Sequence, residues 1–148
     1  MHSKHDIFLK NVEEAHKWLN DICLYANIEE KFQALEILRV VLHELRDHLA
    51  LLISAKLSAQ LPLLIRGIYF ENWNPEHLLL KEQQHYLFAD SVAEKLRKYI
   101  ILDNEKAIIA VFKVLAKHTA LERSYHLEQF LPAGIFSFWL KALETPNH

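Results

Sequence analysis

The chain has 148 residues, 51% of them hydrophobic, which fits one domain with a substantial core and excludes a disordered chain. Its 17 basic and 19 acidic side chains give a formal net charge of −2, so no basic field attracts a phosphate backbone and we expect no nucleic-acid partner. Two glycines and four prolines are too few for the turns of a β-sandwich or barrel, which favours an all-α fold.

The first predicted helix begins after Asp6, whose carboxylate can cap the first turn. Its predicted inward face repeats at helical spacing and consists of Phe8, Val12, Ala15, Leu19 and Ile22. Asn27, followed three residues later by Glu30, predicts a capping box at the start of the second helix.

The second predicted helix is apolar over most of its circumference. One face carries Leu35, Leu38, Leu42, Leu45 and Leu49, while Ile37 and Val40 lie towards the other side. The remaining narrow stripe is polar and consists of Glu36, Arg39, His43, Arg46 and Asp47. This distribution predicts a helix buried at the centre of the fold.

The next two predicted helices are separated by a Leu-Pro step. A helix over about 51–60 is followed by Pro62, and a proline disfavours helical dihedrals in the residue before it but suits a first helical turn. We therefore predict a short helix from Pro62 to about Phe70, sharply bent from its predecessor. The stretch "ENWNPEH" that follows is loop-like, with a further helix start at Asn74–Pro75.

The remaining predicted helices cover about 83–99, 104–119, 121–130 and 132–143. The inward residues of the first two are Phe88, Val92 and Leu96, then Ile108, Val111, Val114 and Leu115. No segment alternates with period two over a useful length, so we expect almost no strand. The expected fold is a compact all-α bundle of about eight helices.

The Leu-Pro step occurs twice, in "LSAQLPLLIRGIY" from Leu57 and in "LEQFLPAGIFSFW" from Leu127. A shift of 73 residues also places the apolar positions of the second helix on those of the helix over 104–119, as Ala34 falls on Ala107. We therefore predict a single domain, residues 1–148, built from two similar kinked-helix units at about 6–72 and 84–144 that share one core. Chance similarity between leucine-rich helices is the alternative.

The same residues carry a resemblance to a known family. "LRVVLHELRDHL", followed by "LSAQLPLLIRGIYFENW", resembles the bacterial family of uncharacterised proteins called DUF2267, whose pattern is A-x-R-A-V-L-x-x-L followed by L-x-x-Q-L-P. Both halves match this pattern, and the second half departs from it at Phe130 and at "FSFW". The resemblance implies an all-helical duplicated domain and brings no activity, substrate or cofactor.

The stretch "HELRDH", residues 43–48, resembles the H-E-x-x-H zinc motif, in which two histidines one helical turn apart bind the metal. Here Asp47 occupies the second ligand position, and no third ligand follows at a suitable spacing. His43 and Asp47 share a helical face and could form a mixed metal pair, but an intrahelical pair on the polar stripe explains the same residues. We predict no metal and no cofactor.

Arg66 is a single cation inside "LLIRGIYF", which is otherwise uncharged and almost entirely apolar. A guanidinium in such surroundings must be paired or must reach water. In one interpretation Arg66 bridges to Asp47 or Glu44 and holds the bent helix against the long one. In the other, a site for an anionic ligand or a partner's carboxylate is lined by Arg66, Arg46, Tyr69 and Trp73.

The segment "LPAGIFSFWL" concentrates large apolar side chains in little more than a turn and a half, namely Ile135, Phe136, Phe138, Trp139 and Leu140. A domain of this size can hardly hide all of them in one place. Two interpretations remain: the segment forms the seam between the two units, or it is exposed and pairs across a dimer interface.

Two classes of function follow from these observations. The leading class is a non-enzymatic binding or regulatory module that contacts a protein partner or forms a homodimer through a helical groove or the Arg66 side. The alternative is a small-molecule-binding protein or minor enzyme with a site around His43, Asp47 and Arg66. We prefer the first because the spacing assembles no nucleophile–base pair, metal set or cofactor motif. One cysteine and no apolar segment of signal-peptide or membrane length predict a cytoplasmic protein without membrane contact.

Overall fold

The computed structural model of the chain describes residues 6–76, 87–101, 103–121 and 127–144. Within these ranges the backbone is helical without strands, so the prediction of an all-α fold is confirmed. The α-helices are α1 (Ile7–Ala26), α2 (Lys31–His48), α3 (Leu51–Ala59), α4 (Leu63–Tyr69), α5 (Phe88–Arg97), α6 (Asn104–His118) and α7 (Ala133–Glu144), and a 3-10 helix spans Leu127–Phe130. None of the helices in these ranges has the length and apolarity needed to cross a bilayer.

Helix α2 lies at the centre of the bundle, as its nearly continuous apolar surface predicts. It packs against α1, α4, α5 and α6, and most of its side chains are buried. The two halves of the chain meet where α1 packs against α6 and where α2 packs against α5 and α6. The core is therefore continuous across both halves, which is expected when neither half can cover its own apolar face.

Both Leu-Pro steps interrupt a helix, as predicted. Helix α3 ends at Ala59 and α4 begins immediately after Pro62, while the 3-10 helix ends at Phe130 and α7 begins immediately after Pro132. The leucine before each proline points into the core, with 2% of its surface exposed in the first step and 9% in the second. In the first half the break allows α4 to fold back against α2 and α1.

The ends of α1 and α5 have the same backbone motif. Asn27 after α1 and Ile100 after α5 both adopt left-handed dihedrals, with φ of 56° and 61°. The N–H that follows each of them donates to the carbonyl five residues earlier, over 3.0 Å after α1 and 3.3 Å after α5. This is the Schellman closure of a helix. Positions 27 and 100 differ by 73, the shift found in the sequence, although the duplication itself stays a prediction.

Exchanging the residue types at these two positions should change stability in opposite directions. Isoleucine is strained in the left-handed region, whereas asparagine tolerates it. We expect Ile100→Asn to raise the free energy of unfolding by about 1 kcal/mol and Asn27→Ile to lower it by a similar amount. Urea unfolding measures both. Ile100 is 80% exposed, so its replacement loses little packing. Stability changes of the same sign in both variants would contradict the explanation by left-handed strain.

The predicted capping of the first helix is confirmed, because the Asp6 carboxylate accepts a hydrogen bond from the backbone N–H of Leu9 at 3.0 Å. Two predictions about the inward face of this helix are wrong. The predicted inward residues Phe8 and Val12 are 79% and 44% exposed. The reason is that α6 ends at His118, beside Asp21, so the first turns of α1 have no α6 next to them.

The predicted capping box at the start of the second helix is also wrong. Asn27 closes α1 and does not open α2. The N-cap of α2 is Glu30, and its side chain makes no capping hydrogen bond. Because the connection between α1 and α2 is short, Asn27 is close to both helices. Asparagine tolerates left-handed dihedrals, and a residue with these dihedrals ends the preceding helix, α1.

The aromatic segment before the C-terminus does not form a seam between the two halves. Helix α7 packs mainly on α6 and α5, all three from the second half of the chain. The Trp139 ring is buried against Phe112, with centroids 5.8 Å apart, and Phe138 lies 6.3 Å from Phe88. Trp139 and Phe138 thus pack within the second half of the chain, whereas Leu140 of the same segment is 42% exposed. Pairing of this segment across a dimer interface stays a prediction.

The remaining predicted elements fall partly outside the described ranges. Residues 83–86 and 122–126 of the predicted helices over 83–99 and 121–130 are among these, as is most of the stretch after Asn74–Pro75. At the predicted start, the Asn74 side chain accepts from the backbone of Glu76 at 3.0 Å. The inward residues predicted for α5 and α6 are all buried, which confirms both faces.

Candidate functional site

The polar stripe of α2 is covered by the C-terminal end of α4. Arg46 donates through Nη1 to the carbonyls of Tyr69 and Glu71, both at 2.8 Å. Its Nε and Nη2 donate to the two carboxylate oxygens of Asp47 at 2.8 and 3.1 Å. The last carbonyls of a helix have no partner within the helix, and a cation near them is favourable. Arg46 and Asp47 therefore hold the end of α4 on α2.

His43 and Arg39 extend this contact. His43 Nε2 lies 2.6 Å from the carbonyl of Ile68, so Nε2 carries a proton and donates. The Glu71 carboxylate lies 3.7 Å from the same nitrogen and accepts from Arg39 Nε at 2.8 Å, while Glu36 also pairs with Arg39. Burial lowers the pKa of His43, and this effect outweighs the hydrogen bond to the carbonyl, which favours the charged form. We call Glu36, Arg39, His43, Arg46, Asp47 and Glu71 the α2–α4 polar network.

The lowered pKa of His43 makes stability depend on pH. Between its folded and its ordinary pKa the unfolded chain binds more protons, so the free energy of unfolding rises with pH there. Nearby Arg46 lowers the pKa and nearby Glu71 and Asp47 raise it. We expect stability to rise from about pH 5 to about pH 7.5 by more in the wild type than in His43→Gln, which keeps an N–H donor but does not titrate.

Urea unfolding at the two pH values measures this difference. The matched control is His16→Gln, which replaces an exposed histidine on α1 that lies outside the α2–α4 polar network. Equal pH dependence in the wild type and in His43→Gln would show that His43 titrates alike in the folded and unfolded chain.

Tyr69 connects α4 to α3. Its ring is fully buried, its hydroxyl donates to the carbonyl of Ser54 at 3.1 Å, and the two side-chain hydroxyls also contact each other. Burial raises the pKa of Tyr69 well above its ordinary range. Trp73 lies after α4, half-buried, with its ring edge-on to Phe70 at 5.5 Å. Tyr69 is therefore a structural residue, and Trp73 packs on the exposed end of α4.

Arg66 is exposed and does not bridge to Asp47 or Glu44, so that interpretation is wrong. Its Nε donates to the carbonyl of Ser58 at 3.0 Å and its Nη2 to that of Leu61 at 2.9 Å. A third, longer contact of 3.5 Å reaches the carbonyl of Ala59. Arg66 therefore caps the C-terminal end of α3, where backbone carbonyls have no partner within the helix. The prediction considered only side-chain carboxylates as partners of Arg66.

The predicted contact residues thus separate into two groups. The structure brings His43, Arg46, Asp47 and Tyr69 together under α4, whereas the Arg66 guanidinium is held by carbonyls at the end of α3. In the parts of the chain that the structure describes, no three or more His, Cys, Asp and Glu side chains are grouped so that they could hold a metal ion.

The α3–α4 hairpin presents a mostly apolar outer surface. Its inner side chains recur every fourth residue and are buried, namely Leu57, Leu61, Ile65 and Tyr69. Its exposed side consists of Leu51, Leu52, Lys56, Leu63, Leu64, Arg66 and Gly67, which we call the outer hairpin face. The four leucines are 41–65% exposed, and residues 49–70 include no aspartate or glutamate. The apolar run alone does not show which side is buried, but the four-residue period of the buried side chains marks a single buried side.

Gly67 offers a direct test of how open this face is. It lies inside α4 without a positive φ, and a Cβ added to it would meet nothing within 4 Å. Because alanine loses less backbone entropy than glycine in a helix, we expect Gly67→Ala to raise the free energy of unfolding by about 0.5–1 kcal/mol. The reverse change at the exposed Ala55 of α3, Ala55→Gly, should lower it by a similar amount. Loss of stability in Gly67→Ala would mean that this side of α4 is covered.

Two features of the structure could not be seen in the sequence. Two adjoining cavities of about 250 and 350 Å³ lie at the start of α6 and share Asp103 and Lys106. The Asp103 carboxylate caps α6 by accepting from the backbone of Lys106 at 3.0 Å, so it has a structural role. The cavities are lined by residues from segments far apart in the chain, and no local motif marks them.

The second such feature is a pair of residues between α1 and α6. His118 Nε2 lies 2.7 Å from Asp21 Oδ2, and its ring stacks on Trp18 with centroids 5.4 Å apart. Burial alone would raise the pKa of Asp21, but the hydrogen bonds from His118 and Lys117 hold it below its ordinary value. The pair joins the two halves of the chain, and its members are 97 residues apart in sequence.

Comparison with known proteins identifies a family. The family model described as "Uncharacterized conserved protein (DUF2267)" matches residues 15–138, which include the α2–α4 polar network, the outer hairpin face and most of the second half. No curated protein matches the chain.

Proposed function

We propose a function for a chain that belongs to the DUF2267 family of uncharacterised conserved proteins, a description that names no activity. In this proposal the chain is a non-enzymatic protein-binding module, and its working surface is the outer hairpin face. A cytoplasmic setting is part of the proposal and is supported by the single cysteine.

The observation that carries the proposal is the exposure of four leucines on two adjoining short helices. Burying apolar surface contributes roughly 25 cal/mol per Å² of favourable free energy. The four exposed leucines contribute none of this to the isolated fold, and a partner that covers them gains it on binding. The exposed leucines are not a sign of a loose segment, because Arg46 and Tyr69 fix α4 to α2 and α3. A rigid apolar surface binds a partner at a lower entropy cost than a mobile one.

The alternative of a small-molecule site or minor enzyme around His43, Asp47 and Arg66 has less support. His43 and Asp47 lie under α4 and are engaged in the α2–α4 polar network. Arg66 is held at the end of α3 and does not join them. A catalytic group needs access to the reacting atoms, and this arrangement uses the predicted groups to hold two helices together.

We also propose that the domain arose from two copies of one unit, at about 6–72 and 84–144. The matched Leu-Pro breaks and the shared helix closure at positions 27 and 100 support this. The two copies differ in polar residues, since the Arg46–Asp47 pair falls on Thr119 and Ala120 under the same shift. The polar network is then an addition of the first copy, where it holds the hairpin that we propose as the binding surface.

Selection from a random-peptide display library on the immobilised wild-type protein tests the binding function. We expect enriched peptides whose affinity falls by about tenfold or more for the double variant Leu63→Ser/Leu64→Ser. The control is Leu140→Ser on α7, because Leu140 is 42% exposed and Leu64 is 41% exposed. No enriched peptide, or peptides that bind the double variant as well as the wild type, would overturn the outer hairpin face as a protein-binding surface.

Sedimentation of the wild type and of the same variants distinguishes a second copy from a different partner. A wild-type dimer that becomes monomeric in Leu63→Ser/Leu64→Ser and not in Leu140→Ser identifies the partner as another molecule of this chain. Melting curves followed by circular dichroism check that all variants remain folded.

A further inference from the structure

We infer that Arg66 is a pre-oriented anchor for a partner carboxylate, so that the segment bound by the outer hairpin face is acidic as well as apolar. This inference rests on the proposed function and adds the chemistry of the partner.

The first step is that the Arg66 side chain is already held in position. Nε and Nη2 donate to the carbonyls of Ser58 and Leu61 at 3.0 and 2.9 Å, which fixes the guanidinium across the end of α3. An exposed arginine normally loses considerable rotamer freedom when it binds an anion. Here the fold has ordered the side chain before any partner arrives, which lowers the entropy cost of binding.

The second step is that the charge of Arg66 is not neutralised. Arg39 and Arg46 each bind a carboxylate within the fold, whereas the hydrogen bonds of Arg66 all go to neutral carbonyls. Its Nη1 makes no hydrogen bond to any residue that the structure describes. The two N–H groups on Nη1 therefore remain available to a carboxylate, and a charge-assisted hydrogen bond is among the stronger polar contacts.

The third step concerns the surroundings of this cation. Lys56, on the same hairpin, is also exposed, and residues 49–70 contain no acidic side chain that could compete for either cation. The other exposed residues of α4 are Leu63, Leu64 and Gly67. A partner that covers the leucines also removes water from around Arg66, and an ion pair gains strength when water is excluded.

The partner that fits this surface is a segment in which aspartate or glutamate alternates with large apolar residues. An anionic membrane would offer the same two kinds of contact, but electrostatic attachment to lipid uses clusters of about four to eight basic residues. The outer hairpin face has two, Lys56 and Arg66. Two cations beside leucines, one of them held in position, match a peptide better than a lipid surface.

The peptides selected on the wild type are the probe for this inference. We expect them to be enriched in aspartate and glutamate next to leucine-like residues, and to bind Arg66→Gln about tenfold more weakly. Arg66→Lys, which keeps the charge without the planar fork, should retain part of the affinity. Arg97→Gln removes an exposed cation from α5 and should leave binding unchanged. Melting curves establish that the variants are folded.

The outcomes separate this inference from the proposed function. Peptides that lose affinity for Leu63→Ser/Leu64→Ser but lack acidic residues and bind Arg66→Gln normally would overturn the role of Arg66 and leave the surface standing. Peptides unaffected by the leucine variant would overturn both. Vesicles of phosphatidylserine and phosphatidylcholine serve as the second probe. Binding to them that requires Arg66 and the two leucines, without any enriched peptide, would identify a membrane surface and overturn the peptide partner.

Discussion

Replacing Asp47 with alanine is expected to lower the free energy of unfolding by about 3–5 kcal/mol. The substitution removes the carboxylate that receives Nε and Nη2 of Arg46 and leaves a guanidinium charge in a buried position. The same guanidinium holds the end of α4 through the carbonyls of Tyr69 and Glu71. The loss therefore combines an uncompensated buried charge with a weakened attachment of the hairpin.

Urea unfolding of Asp47→Ala measures the effect, and Glu94→Ala on the exposed side of α5 is the control, expected within about 0.5 kcal/mol of the wild type. Replacing both members of the pair, as Arg46→Met with Asp47→Leu, should cost less than the sum of the two single changes, because neither charge of the pair is then left buried without its partner. A loss below about 1 kcal/mol in Asp47→Ala would show that Arg46 reaches water and that the polar network does not hold the hairpin.

Replacing Trp139 with alanine is expected to cost about 3–5 kcal/mol. The ring is 1% exposed and lies against Phe112 between α7 and α6, so its removal leaves a cavity among helices that are already packed. The adjacent Leu140 is 42% exposed, and Leu140→Ser should change stability by no more than about 0.5 kcal/mol.

Thermal and urea unfolding compare the two neighbours directly, and sedimentation adds an independent measurement. If Trp139→Ala keeps its stability but changes the sedimenting mass, the aromatic segment acts between molecules and the packing of α7 described above is not its role. If Leu140→Ser destabilises as strongly as Trp139→Ala, the face of α7 that carries Leu140 is covered in solution.

The candidate site was only partly visible in the sequence. The oddness of Arg66 could be recognised, because a lone cation in an apolar run needs a partner, but its partners are backbone carbonyls, which no side-chain pattern records. The polar stripe that carries His43 and Arg46 could be recognised, but both residues donate to carbonyls at the end of α4, more than 20 residues further along the chain. The exposure of Leu63 and Leu64 could not be read from the sequence, because an apolar run of this length resembles core on both sides.

By itself the sequence determined what depends on neighbours within a turn or two: the all-α class, the capping of α1 by Asp6, the breaks at both Leu-Pro steps and the buried faces of α2, α5 and α6. These follow from dihedral preferences and from helical spacing, which are local. The tertiary structure alone decided which apolar residues have a neighbouring helix and which polar groups meet. Phe8 is exposed because α6 ends opposite Asp21, and His118 meets Asp21 from the other half of the chain, since such contacts depend on where whole helices lie.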